Sequence, residues 1–167
     1  MKLYVMRHGP AEDHSSTGHD ETRALTPSGR ERVRDVARAL QSLGEAPKVV
    51  VASPLVRALQ TAEIIHAHAK VEAPLEVHTA MAPRGMALEL VRAAAKAGRK
   101  RMMVVGHEPD VSILVASLLG EPLPSAFSKG MVVSLRVPPE ERLDATMRFV
   151  LDPKSLQLTT DARTVNG

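Results

Sequence analysis

Four side chains in this sequence have the chemistry to act on a phosphate group. Arg7 and His8 lie side by side near the amino terminus, Arg57 follows in mid-chain, and His107 comes later. Histidine can attack phosphorus or carry a proton near neutral pH. Arginine presents a planar set of donors that fits phosphate oxygens. Gly9 lets the backbone turn tightly after His8 and lets a ligand come close.

Each of these side chains follows a short apolar run. The strands predicted at about residues 2–7, 48–52 and 101–105 each contain a continuous apolar run, which is typical of strands that are buried on both faces. In open α/β sheets, ligands bind outside the carboxyl ends of the strands. The sequence therefore predicts that the two arginines and two histidines converge on one site from three strand ends.

Helical patterns alternate with the apolar runs, which indicates a layered α/β fold. Thr26 as N-cap and Pro27 at the first helical position open a helix that Gly44 ends as a left-handed cap. Ser53 before Pro54 repeats this signature and predicts Ser53 as the N-cap of a second helix. The other predicted elements are a polar functional loop at 10–25, a strand at 74–78, helices at about 85–98 and 109–119, and a hairpin-like pair of strands at 131–137 and 146–151.

Composition narrows the class of protein. The length of 167 residues predicts a single domain over residues 1–167, with the tail from about residue 152 expected to pack loosely. A net charge of +3 indicates neither nucleic acid nor a membrane as partner. The three aromatic residues, Tyr4, Phe127 and Phe149, are too few for the stacking surface of a single-strand nucleic-acid binder.

The absence of cysteine excludes disulfides and thiolate metal sites. Neither a secretory signal nor an apolar segment of membrane-spanning length is present, so we expect a cytoplasmic protein. None of the predicted helices carries an excess apolar face, so a monomer is expected.

Two arginines and two histidines, with no acidic metal ligands among them, suit a tetrahedral oxyanion. In this interpretation His8 attacks phosphorus in line and forms a phosphohistidine intermediate, which water then hydrolyses. Arg7 and Arg57 hold the equatorial oxygens, where the charge of the transition state is spread. Beside such a dianion His107 favours its protonated form and acts as a third cationic clamp. We expect no metal or other cofactor, because the guanidinium groups supply the charge.

Over residues 1 to about 150, the motifs resemble those of the histidine phosphatase superfamily in order and spacing: Met6-Arg7-His8-Gly9, Leu25-Thr26-Pro27-Ser28-Gly29, Ser53-Pro54-Leu55-Val56-Arg57-Ala58-Leu59-Gln60-Thr61-Ala62 and Val104-Val105-Gly106-His107-Glu108-Pro109. The short chain and Phe127 with Gly130-Met131-Val132-Val133 are similar to the SixA-type phosphohistidine phosphatases.

The resemblance implies a three-layer α/β/α sandwich around a mostly parallel mixed sheet, like that of the phosphoglycerate mutases. It also implies that His8 carries the phosphoryl group, with Arg7, Arg57 and His107 lining the pocket. Arg23 matches an arginine common in SixA-type members, which implies a contact with substrate or phosphate. A salt bridge within the loop is the alternative role for Arg23.

One departure from the superfamily pattern bears on the substrate. Phosphoglycerate mutases and related phosphatases usually place a glutamate after the third strand as general acid, and residues 79–85 contain no carboxylate. An alkoxide leaving group needs such a donor, whereas the imidazole of phosphohistidine needs less help. The sequence therefore favours phosphohistidine on a protein, such as a histidine-containing phosphotransfer domain. Glu12, Asp13 and Glu108 stay open as proton donors from adjacent loops.

Two other functions remain as alternatives. The first is a broad-specificity phosphomonoesterase that acts on small phosphate esters, and the second is a phosphoprotein-binding module with little turnover. The relative rates on a phosphohistidine protein and on p-nitrophenyl phosphate distinguish the first from a phosphohistidine phosphatase. The second is distinguished by binding of phosphoprotein without release of phosphate.

Overall fold

A seven-stranded mixed sheet organises the described part of the chain, residues 1–139 and 145–160 of a computed structural model. The strands are β1 (Lys2–Arg7), β2 (Val49–Ala52), β3 (Glu76–Val77), β4 (Arg101–Gly106), β5 (Val132–Arg136), β6 (Thr146–Leu151) and β7 (Leu158–Thr159), and the helices are α1 (Pro27–Ser42), α2 (Val56–His68), α3 (Ala87–Lys96) and α4 (Asp110–Leu119). The sheet order is β3-β2-β4-β1-β5-β6-β7. Five strands run in one direction, and only β5 and β7 oppose them.

Helices cover both faces of this sheet. Successive side chains of a strand point to opposite faces, so the continuous apolar run of β1 needs a cover on each side. Leu3 and Val5 pack in one core with residues of α3 and α4, whereas Tyr4 and Met6 pack in another with residues of α1 and α2. The predicted α/β/α sandwich around a mixed sheet is confirmed.

The start of α1 lies close against the end of β1. As predicted, the Thr26 side chain caps the helix, accepting a hydrogen bond of 3.0 Å from the Gly29 amide. A Cβ atom at Gly9 would lie 2.5 Å from Cγ2 of Val33 on α1. Gly9 is therefore needed for the packing of the helix against the strand end, a role that the sequence did not reveal. The predicted left-handed cap at Gly44 is confirmed by its φ of 68°.

The start of α2 differs from the prediction. Leu55 is the N-cap and its side chain makes no capping bond, so Ser53 is not the cap of this helix. The Ser53 hydroxyl lies 2.8 Å from Nε2 of His107 and accepts a bond of 3.3 Å from the Leu55 amide. The cap signature was misleading because the serine side chain has a partner, His107, in the loop that follows β4.

The ends of the sheet also differ from the predictions. The strand predicted at 74–78 is reduced to β3, which pairs with β2 at only two positions. Part of the tail that we expected to be loosely packed forms β7 and pairs with β6. Leu156 and Leu158 stay 37% and 40% exposed, so this segment is held more by backbone bonds than by burial. Residues 161–167 of the predicted tail lie outside the described residues.

The helices are short compared with the thickness of a bilayer. The longest among the described residues, α1, has 16 residues, and a helix needs about 20 apolar residues to span the hydrocarbon core. Within residues 1–139 and 145–160, none is long and apolar enough to cross a membrane.

Candidate active site

Backbone hydrogen bonds fix the end of β1 between two neighbouring segments. The His8 amide donates to the Gly106 carbonyl at 3.0 Å, which ties it to the end of β4. On the other side, the Gly130 amide lies 3.2 Å from the Arg7 carbonyl and 3.1 Å from that of His8. The Arg7 amide also donates to the Met131 carbonyl at 3.2 Å. The sheet therefore holds Arg7 and His8 in place on both sides.

The His8 ring is held in one tautomer. Its Nδ1 lies 2.7 Å from the Gly9 carbonyl oxygen, which can only accept a hydrogen bond, so Nδ1 carries the proton. The lone pair is then on Nε2. The Gly9 amide is fixed in turn by a bond of 3.0 Å to the Thr61 hydroxyl on α2, and Thr61 donates to the Arg57 carbonyl at 2.7 Å.

Burial also keeps His8 neutral. It lowers the pKa of the ring to about 3, an effect to which the charges of Arg57 and Arg7 contribute and which the bond to Gly9 opposes. Near pH 7 the Nε2 lone pair is therefore free of a proton and available as a nucleophile.

His107 lies beside His8, with the two ring centroids 5.2 Å apart. Its Nε2 is bonded to Ser53, and its buried Nδ1 has no hydrogen-bond partner within residues 1–139 and 145–160. Burial, with the charge of Arg57 as the next cause, lowers the pKa of His107 to about 4. The predicted cationic clamp therefore applies only once an anion is bound, since the ring of the free protein is neutral near pH 7.

Both predicted arginines reach this region with donors to spare. Nη1 of Arg7 donates to the Phe127 carbonyl at 2.6 Å, while Nη1 and Nη2 of Arg57 donate to the carbonyl and the carboxylate of Asp20 at 2.8 and 3.0 Å. In the described part of the chain, the buried Nε of each arginine has no partner, like Nδ1 of His107. A buried donor without an acceptor is costly. An oxyanion bound next to Nε2 of His8 would supply acceptors to these atoms.

Asp20 is a site residue that the sequence analysis missed. It lies in a short 3-10 helix, Asp20–Thr22, within the loop at 10–25. Its carboxylate joins Arg57 to Arg23, whose Nε donates to Oδ1 at 2.8 Å. Burial raises the pKa of Asp20, but the bonds and charges of the two arginines outweigh this and lower it overall. The one signal in the sequence was the spacing of three residues between Asp20 and Arg23.

The ion pair of Asp20 with Arg57 is open to exchange on the Asp20 side. The Asp20 side chain is 61% exposed, whereas that of Arg57 is 6% exposed, so the carboxylate lies at the surface while the guanidinium is buried. A phosphoryl dianion carries more charge and matches the guanidinium at least as well. In the free protein Asp20 therefore occupies donors of Arg57 that a phosphoryl group can take over.

Arg23 makes the contacts of the alternative that the sequence left open. Besides its salt bridge with Asp20, its Nη1 donates to the Glu12 carbonyl at 3.0 Å. Its positive charge nevertheless contributes to the lowered pKa of His107, so it lies near the site. Contact between Arg23 and phosphate stays a prediction.

The three carboxylates predicted as possible proton donors are placed differently. Glu12 and Asp13 are exposed, and Asp13 lines a cleft of about 210 Å³ together with Asp20 and Arg23. Glu108 instead accepts hydrogen bonds at Oε1 from the Phe127 amide and the Ser112 hydroxyl. Within residues 1–139 and 145–160, no group of three His, Asp or Glu side chains could hold a metal ion.

Because His8 and His107 are buried, we expect the stability of the protein to fall on mild acidification. The pKa of His8 is about 3 and that of His107 about 4 in the folded protein, below the value of about 6.5 expected in the unfolded chain. The unfolded state therefore binds more protons as the pH falls below about 6.5. We expect the free energy of unfolding, measured by urea denaturation, to fall by about 2–4 kcal/mol between pH 7 and pH 5.

This pH range separates the histidines from the carboxylates. Glu45 has a pKa of about 2 in the folded protein, so its contribution to stability is lost only below about pH 4.5. The variant His8→Asn should show about half the dependence of the wild type. A stability that is flat from pH 7 to pH 5 in the wild type would contradict the burial of neutral histidines.

Comparison with known proteins gives consistent relatives. The family model "Histidine phosphatase superfamily (branch 1)" matches residues 3–86. An uncharacterised protein of Picosynechococcus sp. strain PCC 7002 is 40% identical over 117 residues, covering 66% of this chain and 68% of that protein. Phosphohistidine phosphatase SixA of Escherichia coli strain K12 is 27% identical over 161 residues, covering 95% and 98%.

A solved structure shows the same overall fold. The protein histidine phosphatase SixA complexed with tungstate matches with a TM-score of 0.83 and 28% identity, covering 94% of this chain and 100% of that chain. SixA from Agrobacterium tumefaciens, described as a putative phosphohistidine phosphatase, matches in fold with a TM-score of 0.78 at 20% identity, covering 91% and 97%.

Proposed function

Because this chain belongs to the histidine phosphatase superfamily and is a phosphatase, we propose that it removes phosphate from phosphohistidine on a protein. His8 is the nucleophile and carries the phosphoryl group between the two half-reactions. The observation that carries this proposal is the fixed tautomer of His8, with Nδ1 bonded to Gly9 and the lone pair left on Nε2. Buried nitrogens of Arg7, Arg57 and His107 that have no hydrogen-bond partner among the described residues support it.

The first half-reaction transfers the phosphoryl group to the protein. Nε2 of His8 forms a bond to phosphorus while the bond from phosphorus to the substrate imidazole breaks in line with it. The substrate imidazole leaves as a neutral ring when its other nitrogen carries a proton. Arg7, Arg57 and His107 donate to the equatorial oxygens, and Asp20 gives up its contact with Arg57. The proton on Nδ1 of His8 stays bonded to Gly9 throughout.

The second half-reaction restores the enzyme. Water attacks the phosphorus on the side opposite to Nε2 and the bond from phosphorus to nitrogen breaks. The electron pair of that bond returns to Nε2, and inorganic phosphate leaves as H2PO4− with the water oxygen and both of its protons. The same three donors hold the equatorial oxygens, because the transition state has the same distribution of charge. The positive charge of two guanidinium groups lets us propose that the reaction needs no metal ion.

The leaving group is the reason to prefer phosphohistidine over small esters. Residues 79–85 offer no carboxylate as general acid, and the lowered pKa of Asp20 keeps that carboxylate ionised near pH 7. An alkoxide needs a proton from a donor, whereas an imidazole whose other nitrogen already carries a proton leaves without one from the enzyme. The name of the Escherichia coli relative, phosphohistidine phosphatase SixA, supports the same substrate class.

A comparison of the rates on different substrates tests this function. We expect the purified protein to release phosphate from a phosphorylated histidine-containing phosphotransfer domain with a kcat/KM at least about 100-fold above that for an alkyl phosphate such as glycerol phosphate, whose alkoxide needs a proton donor, and also above that for p-nitrophenyl phosphate. The measurement is initial release of inorganic phosphate for each substrate. Faster turnover of p-nitrophenyl phosphate would assign the chain to the phosphomonoesterases instead. Binding of the phosphorylated domain without release of phosphate would assign it to binding modules.

The same assay tests independence of metal ions. We expect dialysis against EDTA to leave the rate on the phosphorylated domain unchanged, because the positive charge comes from arginines. Loss of activity with EDTA and its recovery on adding a divalent ion would contradict this part of the proposal.

A further inference from the structure

We propose that Glu108 is a positioning residue that aligns Arg7 for phosphate through the backbone of Phe127. This inference rests on the proposed function of the site, and it replaces the role of proton donor that the sequence left open for Glu108. It makes the segment before β5 part of the phosphate clamp, although no side chain of that segment need touch the substrate.

Arg7 depends on this segment for its geometry. Its Nη1 donates to the Phe127 carbonyl at 2.6 Å, and its buried Nε has no partner among the residues that the structure describes. A bond to a charged group is strong and directional, so the position of the carbonyl sets the orientation of the guanidinium. Phe127 itself lies outside any helix or strand, which means that no regular backbone ladder fixes that carbonyl.

Glu108 provides the missing constraint. Its Oε1 accepts a hydrogen bond of 2.6 Å from the Phe127 amide and one of 2.7 Å from the Ser112 hydroxyl. Ser112 lies in the first turn of α4, and Glu108 comes directly after His107. Phe127 is therefore held at its amide by Glu108 and at its carbonyl by Arg7, while its ring, 1% exposed, anchors the segment in the core.

The contacts of Glu108 distinguish positioning from proton donation. Two donors share Oε1, and both need an acceptor there, which a carboxylate or an amide oxygen supplies equally. Glutamine can therefore keep both bonds, but it cannot donate a proton in the way that a carboxylic acid does. Aspartate keeps the charge but is shorter by one methylene, so it cannot reach both partners. Burial lowers the pKa of Arg7, and the negative charge of Glu108 in the wild type opposes this effect.

The variants Glu108→Gln, Glu108→Asp and Glu108→Ala separate these roles. We expect Ala and Asp to weaken binding of inorganic phosphate, measured by isothermal titration calorimetry, by about 5–20-fold, and Gln by less than about 3-fold. In turnover of aryl phosphates by the Ala and Asp variants, we expect kcat to fall more than KM rises. The fall in kcat should be the same for leaving groups of high and low pKa. Glu121→Ala, an exposed glutamate in the segment between α4 and Phe127, is the control and should match the wild type.

A double-mutant cycle shows whether the effect passes through Arg7. In an Arg7→Ala background, Glu108→Ala should have almost no further effect on phosphate binding. If the losses of phosphate binding in the two single variants add fully in the double variant, the proposal is wrong. It is also wrong if Glu108→Gln loses as much kcat as Glu108→Ala and this loss grows with the pKa of the leaving group. If the wild type binds phosphate but does not turn over phosphohistidine, the proposed function fails while the binding series still decides the role of Glu108.

Discussion

Replacing His8 with alanine is expected to lower phosphatase turnover by about 10³-fold or more, because the nucleophile of both half-reactions is lost. The substitution removes Nε2 but leaves Arg7, Arg57 and His107 to hold an oxyanion. Binding of inorganic phosphate should therefore survive within a few-fold. Turnover is measured on the phosphorylated phosphotransfer domain, and binding is measured by calorimetry on the same preparation.

The covalent intermediate gives a second measurement of the same prediction. Brief incubation of the wild type with substrate should leave acid-labile phosphate on His8, detectable by mass spectrometry under neutral conditions. The His8→Ala variant should carry none. His68→Ala is the matched control, since His68 lies in the last turn of α2 and not at a strand end. Unchanged activity in His8→Ala would refute the mechanism.

The sequence predicted the centre of the site because regular elements position it. His8 follows a continuous apolar run at the start of the chain, and His107 follows another. Buried parallel strands deliver the residues at their carboxyl ends to one edge of a sheet. In the structure β1 and β4 are neighbours in parallel register, with Arg7 opposite Gly106. Residue type, apolar runs and sheet geometry were enough to bring the two rings together.

The loops were beyond the reach of the same reasoning. Asp20 lies in a polar segment without apolar periodicity, so nothing in the sequence says which of its acidic residues faces Arg57. Glu108 was singled out for the chemistry of its carboxyl group, yet its partners, the Phe127 amide and Ser112, depend on how a distant segment packs. The local pattern at Ser53 predicts a helix cap because it cannot reveal a partner such as His107, which follows β4. Contacts between irregular segments that are far apart in the sequence could therefore not be predicted from local sequence patterns.

The lowered pKa values of the two histidines were also not predictable from the sequence. Both arise first from burial, which depends on the packing of all the surrounding elements. The consequence matters for the mechanism, because a neutral His8 is a nucleophile at neutral pH and a protonated one is not. His107 is neutral until a dianion raises its proton affinity. The same low dielectric surroundings strengthen the hold of the arginines on a bound phosphoryl group.

Among the residues that hold the phosphoryl group, Arg57 is expected to contribute most to the rate. Arg57 is 5% exposed, and two of its donors already bind the carbonyl and carboxylate of Asp20. The variant Arg57→Ala should lower kcat/KM on the phosphorylated domain by about 10²–10³-fold, the effect of removing one strong donor to a transition state. Arg57→Lys keeps the charge but loses the planar pair of donors, so we expect it to recover only a small part of the activity.

The pattern of kinetic constants shows what Arg57 does. A contact that strengthens in the transition state lowers kcat, whereas one equally strong in the ground state raises KM alone. We expect kcat to change more than KM, because Arg57 should bind the equatorial oxygens more strongly in the transition state than in the bound substrate. Arg38→Ala is the control, as the Arg38 side chain is 62% exposed on α1 and forms an ion pair with Asp35 at 3.6 Å. A change confined to KM would make Arg57 a residue for capturing phosphate and leave transition-state stabilisation to Arg7 and His107.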